Sequence, residues 1–238
     1  MNRRDKQKAE TLTDILRSAE ELFMEQGFEK TSMRQIAEHS GLSKGALYHH
    51  FDSKEELLER ICAEHNRALN NAALPVVEDA ALTCIERMRR IFTLSRNMSI
   101  SDISLVSEYL KLNHNENSLV LREKLEKYNK QFYVTVMGPL LNEARRKGEC
   151  NFTAAAGIIA VFIHQLNRAV NEELNAVFER ASSSDKQKHI IEIMKSYVYV
   201  LSKMLNISFE TTAYLIGLEE SIQLYAQILQ ARTKACGT

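Results

Sequence analysis

Tryptophan is absent from this chain of 238 residues, proline occurs twice and glycine eight times. So few chain breakers argue against turn-rich all-β folds and against disordered tails. Lysine plus arginine and aspartate plus glutamate balance at 31 each, so bulk charge selects no partner. The four cysteines, Cys62, Cys84, Cys150 and Cys236, lie far apart with no C-x-x-C pair. That spacing argues against a disulfide framework and a zinc site, and fits free thiols in a reducing compartment. The longest apolar run, "AAAGIIAVFI" (Ala154–Ile163), is too short to span a bilayer and reads as a buried helix. The start, "MNRRDKQKAET", is basic and polar with no apolar stretch behind it, unlike a signal peptide. Expected is a cytoplasmic protein with no membrane partner. Phosphate-loop, dinucleotide, zinc-protease and nucleophile-elbow motifs are all missing, so neither an enzyme nor a cofactor is expected.

What remains is helical periodicity. Leu12, Ile15, Leu16, Ala19, Leu22 and Phe23 recur at i, i+3, i+4 and i+7, and Gly27 stops that helix. Ser32 and Gln35 form a capping box for a second helix, "MRQIAEH". Ser43 can cap a third, "KGALYHH", and Ser53 with Glu56 opens a fourth that reaches to about Asn70. Pro75 suits the first turn of a fifth. A long helix over about Ser118–Lys147 carries Gly138-Pro139, where a kink is expected. Helices follow over roughly Thr153–Arg180, Asp185–Asn206 and Phe209–Arg232. The fold class is all-α, with about ten helices.

The stretch "GLSKGALYHHFDSKEEL", Gly41 to Leu57, raises the functional question. Two helices of one or two turns joined by "SGLS" are too short to be stable alone. Short helix, tight glycine turn, short helix is the helix-turn-helix arrangement, whose second helix enters the DNA major groove. Ile36, Ala37, Leu42, Leu47 and Phe51 supply the inward face, while Lys44, Gly45, Ala46, Tyr48 and His49 point outward. Gly45 and Ala46 let the backbone approach DNA closely. Lys44 can donate to guanine or phosphate, and Tyr48 can donate its hydroxyl to phosphate. Adjacent histidines on a helix diverge by about 100°, so His49 and His50 cannot share a metal ion; no metal site is expected.

Charge alone would not have found this site. Residues 1–60 hold ten Lys/Arg against twelve Asp/Glu, where a basic excess is the usual footprint. The distribution is more telling. Arg3, Arg4, Lys6 and Lys8 form a loose basic arm, and Lys30, Arg34, Lys44 and Lys54 sit at helix starts facing the presumed groove. Lys54 adds its charge beside first-turn amides that bind phosphate. The competing reading of the weak charge is a helical interaction module whose helix-turn-helix docks a protein.

At these residues the chain resembles a family. "ILRSAEELFMEQGFEKTSMRQIAEHSGLSKGALYHHFDSKEELL" looks like the DNA-binding domain of the TetR family of bacterial transcriptional regulators, over about Leu12 to Asn70. The resemblance implies a three-helix DNA-binding domain over residues 1–52. It also implies a larger helical domain over 53–238, for a small-molecule effector and for dimerisation. A homodimeric, ligand-released repressor of a palindromic operator is the function it implies. By the same match, Thr31, Ser32, Arg34, Gln35, Ser43, Lys44, Gly45, Ala46, Tyr48, His49 and Lys54 hold the positions such regulators use on DNA.

The remainder is less specific. Asp185–Asn206 carries two adjacent apolar stripes that include Ile190, Met194, Tyr197 and Leu201. Either one stripe joins the Thr153–Arg180 helix in a four-helix dimer seam, or both are internal core. An effector pocket among the middle helices has Tyr109, His114, Tyr128, Phe132, Tyr133, Met137, Phe162, His164 and Gln165 as candidates. Each of these alone is also what an ordinary core contains.

Overall fold

Helices and the turns between them account for the chain wherever a computed structural model describes it, over residues 3–96, 126–127, 130–179 and 185–235. No strand occurs among the described residues, and no helix there is long and apolar enough to cross a membrane. Two compact units divide the chain, one including residues up to Leu69 and the other Asn70–Arg96 and Asn129–Thr238.

In the first unit, α1 (Arg3–Gln26), α2 (Met33–His39), α3 (Lys44–His50) and the first part of α4 (Lys54–Glu78) enclose one core. Ile15, Ala19 and Phe23 from α1 meet Ile36 and Ala37 from α2, Leu47 from α3, and Leu57, Leu58 and Ile61 from α4, all buried. Phe28 packs on Phe23 with ring centroids 5.0 Å apart. Gly27, at φ +88°, ends α1 in the left-handed region that costs other residues strain. The basic arm expected before Leu12 is instead part of α1, which is helical from Arg3.

Helix α4 departs from expectation in another way. It runs through Pro75 to Glu78 and does not end near Asn70. Proline removes one amide, the one that would pair with the carbonyl of Asn71. Both Pro75 and Asn71 are exposed, so that carbonyl faces solvent and the helix continues.

The second unit adds α5 (84–96), α6 (Gly138–Arg146), α7 (Ala156–Glu179), α8 (Lys186–Leu205), α9 (Phe209–Ile216) and α10 (Leu218–Ala235). A π-turn, Tyr133–Met137, leads into α6, with the Gly138 amide donating to the Tyr133 carbonyl. Gly138-Pro139 thus marks a change of helical pitch, because Pro139 cannot donate and the preceding turn widens around it. Helices α7 and α8 run antiparallel. Asn151, before α7, bonds the Leu205 carbonyl at the end of α8 (3.1 Å), and Lys186 at the start of α8 reaches the Phe178 carbonyl near the end of α7 (3.3 Å). The single helix expected over Phe209–Arg232 is two helices, α9 and α10. Gly217 separates them at φ +61°, and a Cβ there would lie 2.8 Å from the Arg96 guanidinium. That guanidinium donates to the carbonyls of Ile216 and Gly217 and to Ser221 Oγ.

Arg87 is the charged group buried deepest in this unit. It is 4% exposed and is held by Glu143 on α6 at 2.6 and 3.2 Å and by the Val77 carbonyl at 2.8 Å. Lys147 adds a second cation 2.7 Å from Glu143. Cys84 and Cys150 are buried thiols; burial pushes them up to about 11 and about 12. Cys62 is a half-buried thiol, while Cys236 lies outside the described residues.

Hydrogen bonds from Arg87 and Lys147 lower the Glu143 carboxyl from 4.5 to about 2. A depressed carboxyl stabilises the fold above its unfolded value, and that stability drains away as pH falls from about 4.5 toward 2. The melting temperature is therefore expected to fall across this window. Glu143→Gln should flatten that part of the profile and lower stability at pH 7 by about 1–3 kcal/mol, since Arg87 loses its counter-charge. An unchanged slope in a thermal melt series would assign acid lability to other groups.

Candidate functional site

Helix α3 is seven residues long, and its position comes from its ends and its one buried residue. Ser43 accepts from the Ala46 amide at its start (3.2 Å), and Leu47 and Phe51 anchor it to the core. Helix α2 opens on the complete Ser32–Gln35 capping box. The four-residue turn between them closes through the Leu42 amide on the Ala37 carbonyl (2.9 Å) and Ser40 Oγ on the Ile36 carbonyl (2.8 Å). His39 ties the end of α2 to Glu21 on α1 at 2.9 Å. The outer face of α3 is thereby fixed, with Lys44, Gly45, Tyr48 and His49 exposed on it and Ala46 half-buried. Lys44 Nζ lies 5.6 Å from the centre of the Tyr48 ring, so cation and phenol occupy one patch.

Residues 15–61, which contain this arrangement whole, match the family model described as bacterial regulatory proteins, tetR family. The chain carries a TetR-family domain. Over 67 residues it is 43% identical to UidR, an HTH-type transcriptional regulator of Escherichia coli (strain K12), a match covering 28% of this chain and 34% of UidR. It is 47% identical over 49 residues to KstR2, an HTH-type transcriptional repressor of Rhodococcus jostii (strain RHA1), covering 21% and 24% of the two chains. The match therefore spans about a third of UidR and less of KstR2. Beyond the TetR-family domain the likeness is one of fold. Salmonella enterica GusR superposes with a TM-score of 0.59 at 24% identity, over 82% of this chain and 95% of GusR.

Within the TetR-family domain, several residues expected to face DNA have other occupations. Thr31 is 2% exposed, and its hydroxyl donates to the Gly27 carbonyl at 2.8 Å, so it belongs to the turn after α1. The Gln35 side-chain oxygen accepts from the Ser32 amide and hydroxyl (2.9 and 2.8 Å) to complete the cap, and its amide nitrogen donates to the Gln26 side-chain oxygen (3.5 Å). Lys54 folds back: its ammonium donates to the carbonyls of Phe28 and Glu29 (2.9 and 3.3 Å) and sits 4.4 Å from the Phe28 ring centre. It clasps the α1–α2 turn with two of its three hydrogens. Arg34 stays exposed but pairs with Glu38 one turn on at 2.8 Å, an ion pair that solvent keeps weak.

Among the effector candidates, Tyr109, His114 and Tyr128 lie outside the described residues. Phe132, Met137 and His164 are buried, and the Tyr133 ring contacts those of Phe132 and His164 with centroids 5.6 and 5.2 Å apart. Phe162 and Gln165 do not join them, since both are exposed on the outer side of α7. Asn167, one turn after His164 and bonded to the Tyr133 hydroxyl, was not singled out in the sequence; its i, i+3 spacing from His164 is the signal that locates it. The four positions proposed for a dimer seam fail on burial. Ile190, Met194, Tyr197 and Leu201 are at most 6% exposed within a single chain and form its own core. The apolar side chains that α7 and α8 leave outside are Ile158, Phe162, Tyr199 and Val200. No group of three or more His, Cys, Asp or Glu able to hold a metal occurs among the described residues.

Gly45 is the residue on this face that the fold does not require. It is helical, and a Cβ built there meets nothing within 4 Å. Gly45→Ala should therefore raise the stability of the domain by about 0.5–1 kcal/mol through helix propensity alone. A denaturation midpoint that moves down instead would show that the position has an internal steric role.

Proposed function

We propose that this protein is a DNA-binding transcriptional repressor that docks as a homodimer on a palindromic operator and is released by a small-molecule effector. One observation carries the reading. A two-turn helix, capped and anchored by buried Leu47, presents Lys44, Gly45, Tyr48 and His49 outward, as a recognition helix must in the major groove. The DNA-reading elements lie within residues 1–52, and residues 53–238 carry effector and dimer functions.

Of the eleven residues matched by resemblance, Lys44, Gly45, Ala46, Tyr48 and His49 are the reading set. Ser32 and Ser43 offer helix starts to phosphate. Arg34 can exchange its partner Glu38 for a phosphate, since the pair is exposed. Thr31, Gln35 and Lys54 act indirectly, by holding the turn and the cap in place. With few cations facing outward, non-specific affinity stays modest and its dependence on salt shallow, since the slope scales with the number of phosphates neutralised.

A gel shift with DNA from upstream of the gene tests the reading. Lys44→Ala and Tyr48→Phe should weaken binding with little change in thermal stability, because both side chains are exposed. A loss of about 1–3 kcal/mol that relaxes the sequence preference identifies a base contact, and a uniform loss a phosphate contact. Gly45→Ala should lose affinity while gaining stability. If the lysine variant binds as tightly as the parent, the reading face lies elsewhere.

The dimer seam is proposed on the outer faces of α7 and α8. Their antiparallel pairing brings Phe162 and Tyr199, 59% and 58% exposed, to similar heights along the helix pair. A second copy covering them would complete a four-helix packing. Replacing both with glutamate should give folded monomers by light scattering and circular dichroism, because a carboxylate in an apolar seam is costly to bury. A persistent dimer would move the seam to another face.

A further inference from the structure

Inside the second unit, three helical elements bring polar side chains together. Tyr133 opens the π-turn, a local widening that often accompanies functional positions. His164 and Asn167 share one face of α7. His164 is 5% exposed with its ring against Tyr133, and the Asn167 amide donates to the Tyr133 hydroxyl. From α8 comes Tyr197, 6% exposed, whose hydroxyl is buried with no hydrogen-bond partner. Asn167 lies beside both hydroxyls and its amide donates to that of Tyr133, while the Tyr197 proton has no acceptor within hydrogen-bond reach.

A buried hydroxyl without a partner is rare, and a fold serving stability alone would place phenylalanine there. Burial pushes the Tyr133 hydroxyl up to about 12 and that of Tyr197 well above its ordinary value, so both remain proton donors at neutral pH. The groups that bear on the Tyr197 hydroxyl are Tyr133, Tyr225 and Asn167, none of them charged. Tyr133 and Asn167 are only half-buried, so the cluster is open on their side.

We infer that Tyr133, His164, Asn167 and Tyr197 form the polar end of an effector site for an uncharged ring compound bearing a carbonyl or hydroxyl oxygen. The ring lies against the Tyr133–His164 pair, and the oxygen accepts from the Tyr197 hydroxyl. A charged head group would be desolvated against Tyr133, Asn167 and Tyr197, none of which carries a charge to meet it. This assignment rests on reading residues 53–238 as the effector-binding part.

Three probes of similar shape test it on the full chain by ligand-observed NMR titration. Acetophenone carries the ring and the acceptor oxygen, ethylbenzene lacks the oxygen, and benzoate adds a charge. Acetophenone should bind at least tenfold more tightly than either of the others. Tyr197→Phe should reduce it to the level of ethylbenzene while raising the melting temperature of the free protein. Equal affinities for acetophenone and ethylbenzene, or a preference unaffected by Tyr197→Phe, overturn the site. A lowered melting temperature in that variant does so too, since it makes the hydroxyl structural. The titrations contain no DNA, so their failure is separable from that of the regulator reading. A positive gel shift with no probe preference removes this site alone. Probe binding to a chain that shifts no DNA removes only the regulator.

Discussion

The burial of Leu47 is the contact on which the outward face of α3 depends. A seven-residue helix cannot hold itself together in water, so α3 exists because Leu47, with Phe51 just after it, is fixed in a core made by three other helices. Everything polar around it serves the same end. Ser43 caps its start, the α2–α3 turn closes on its own carbonyls, and Lys54 clasps the preceding α1–α2 turn. An exposed side chain on such an element has a defined position without an internal partner, which is what reading a surface requires.

The second unit has a different kind of anchor. Arg87 is buried against Glu143, and a buried guanidinium tolerates no loss of its partner. The Glu149 carboxylate also accepts the Ile85 amide at 2.9 Å, so α5 is bound at one end to the segment that follows α6. Midway along α5, Arg89 pairs with Glu220 at 2.6 Å and stacks on Tyr214, and at its end Arg96 holds the break at Gly217. Polar contacts of this kind fix the order in which helices pack, where apolar faces alone would accept several arrangements.

Much of this was readable from the amino-acid order where the signal is local. The Ser32–Gln35 capping box, the glycine after α1 and the four-residue helix-turn-helix link depend on neighbours within one turn, and the structure has them as the spacing predicts. At Ser53 the hydroxyl accepts the Glu56 amide, but the Glu56 carboxylate accepts from the amide of Asp52. Pro75 misled because a helix tolerates proline where the orphaned carbonyl can face solvent, and exposure is not a local property. Gly217 was overlooked because the apolar period continues across it; only its positive φ and the Arg96 guanidinium reveal the break. The two stripes of α8 were seen, but periodicity cannot rank them. Tyr197 and Leu201, one from each stripe, both lie inward and Tyr199 and Val200 outward, a division made by the helices that pack around it. Thr31 and Lys54 show the same limit in the TetR-family domain: residue type gave the polar atom, and only the fold shows which carbonyl it meets.

Two positions stand out against this background of mutual consistency. Gly45 weakens a helix at a point where no neighbour forbids a side chain, and Tyr197 buries a hydroxyl that no neighbour satisfies. Departures that the fold neither needs nor compensates are where an outside partner is expected to complete the structure. One of them lies on the exposed face of α3 and the other inside the second unit. Gly45 calls for a surface that approaches the backbone closely, and Tyr197 for an acceptor oxygen small enough to reach a buried phenol. The function proposed for this chain, reading DNA and answering to a small molecule, requires one unfinished contact of each kind.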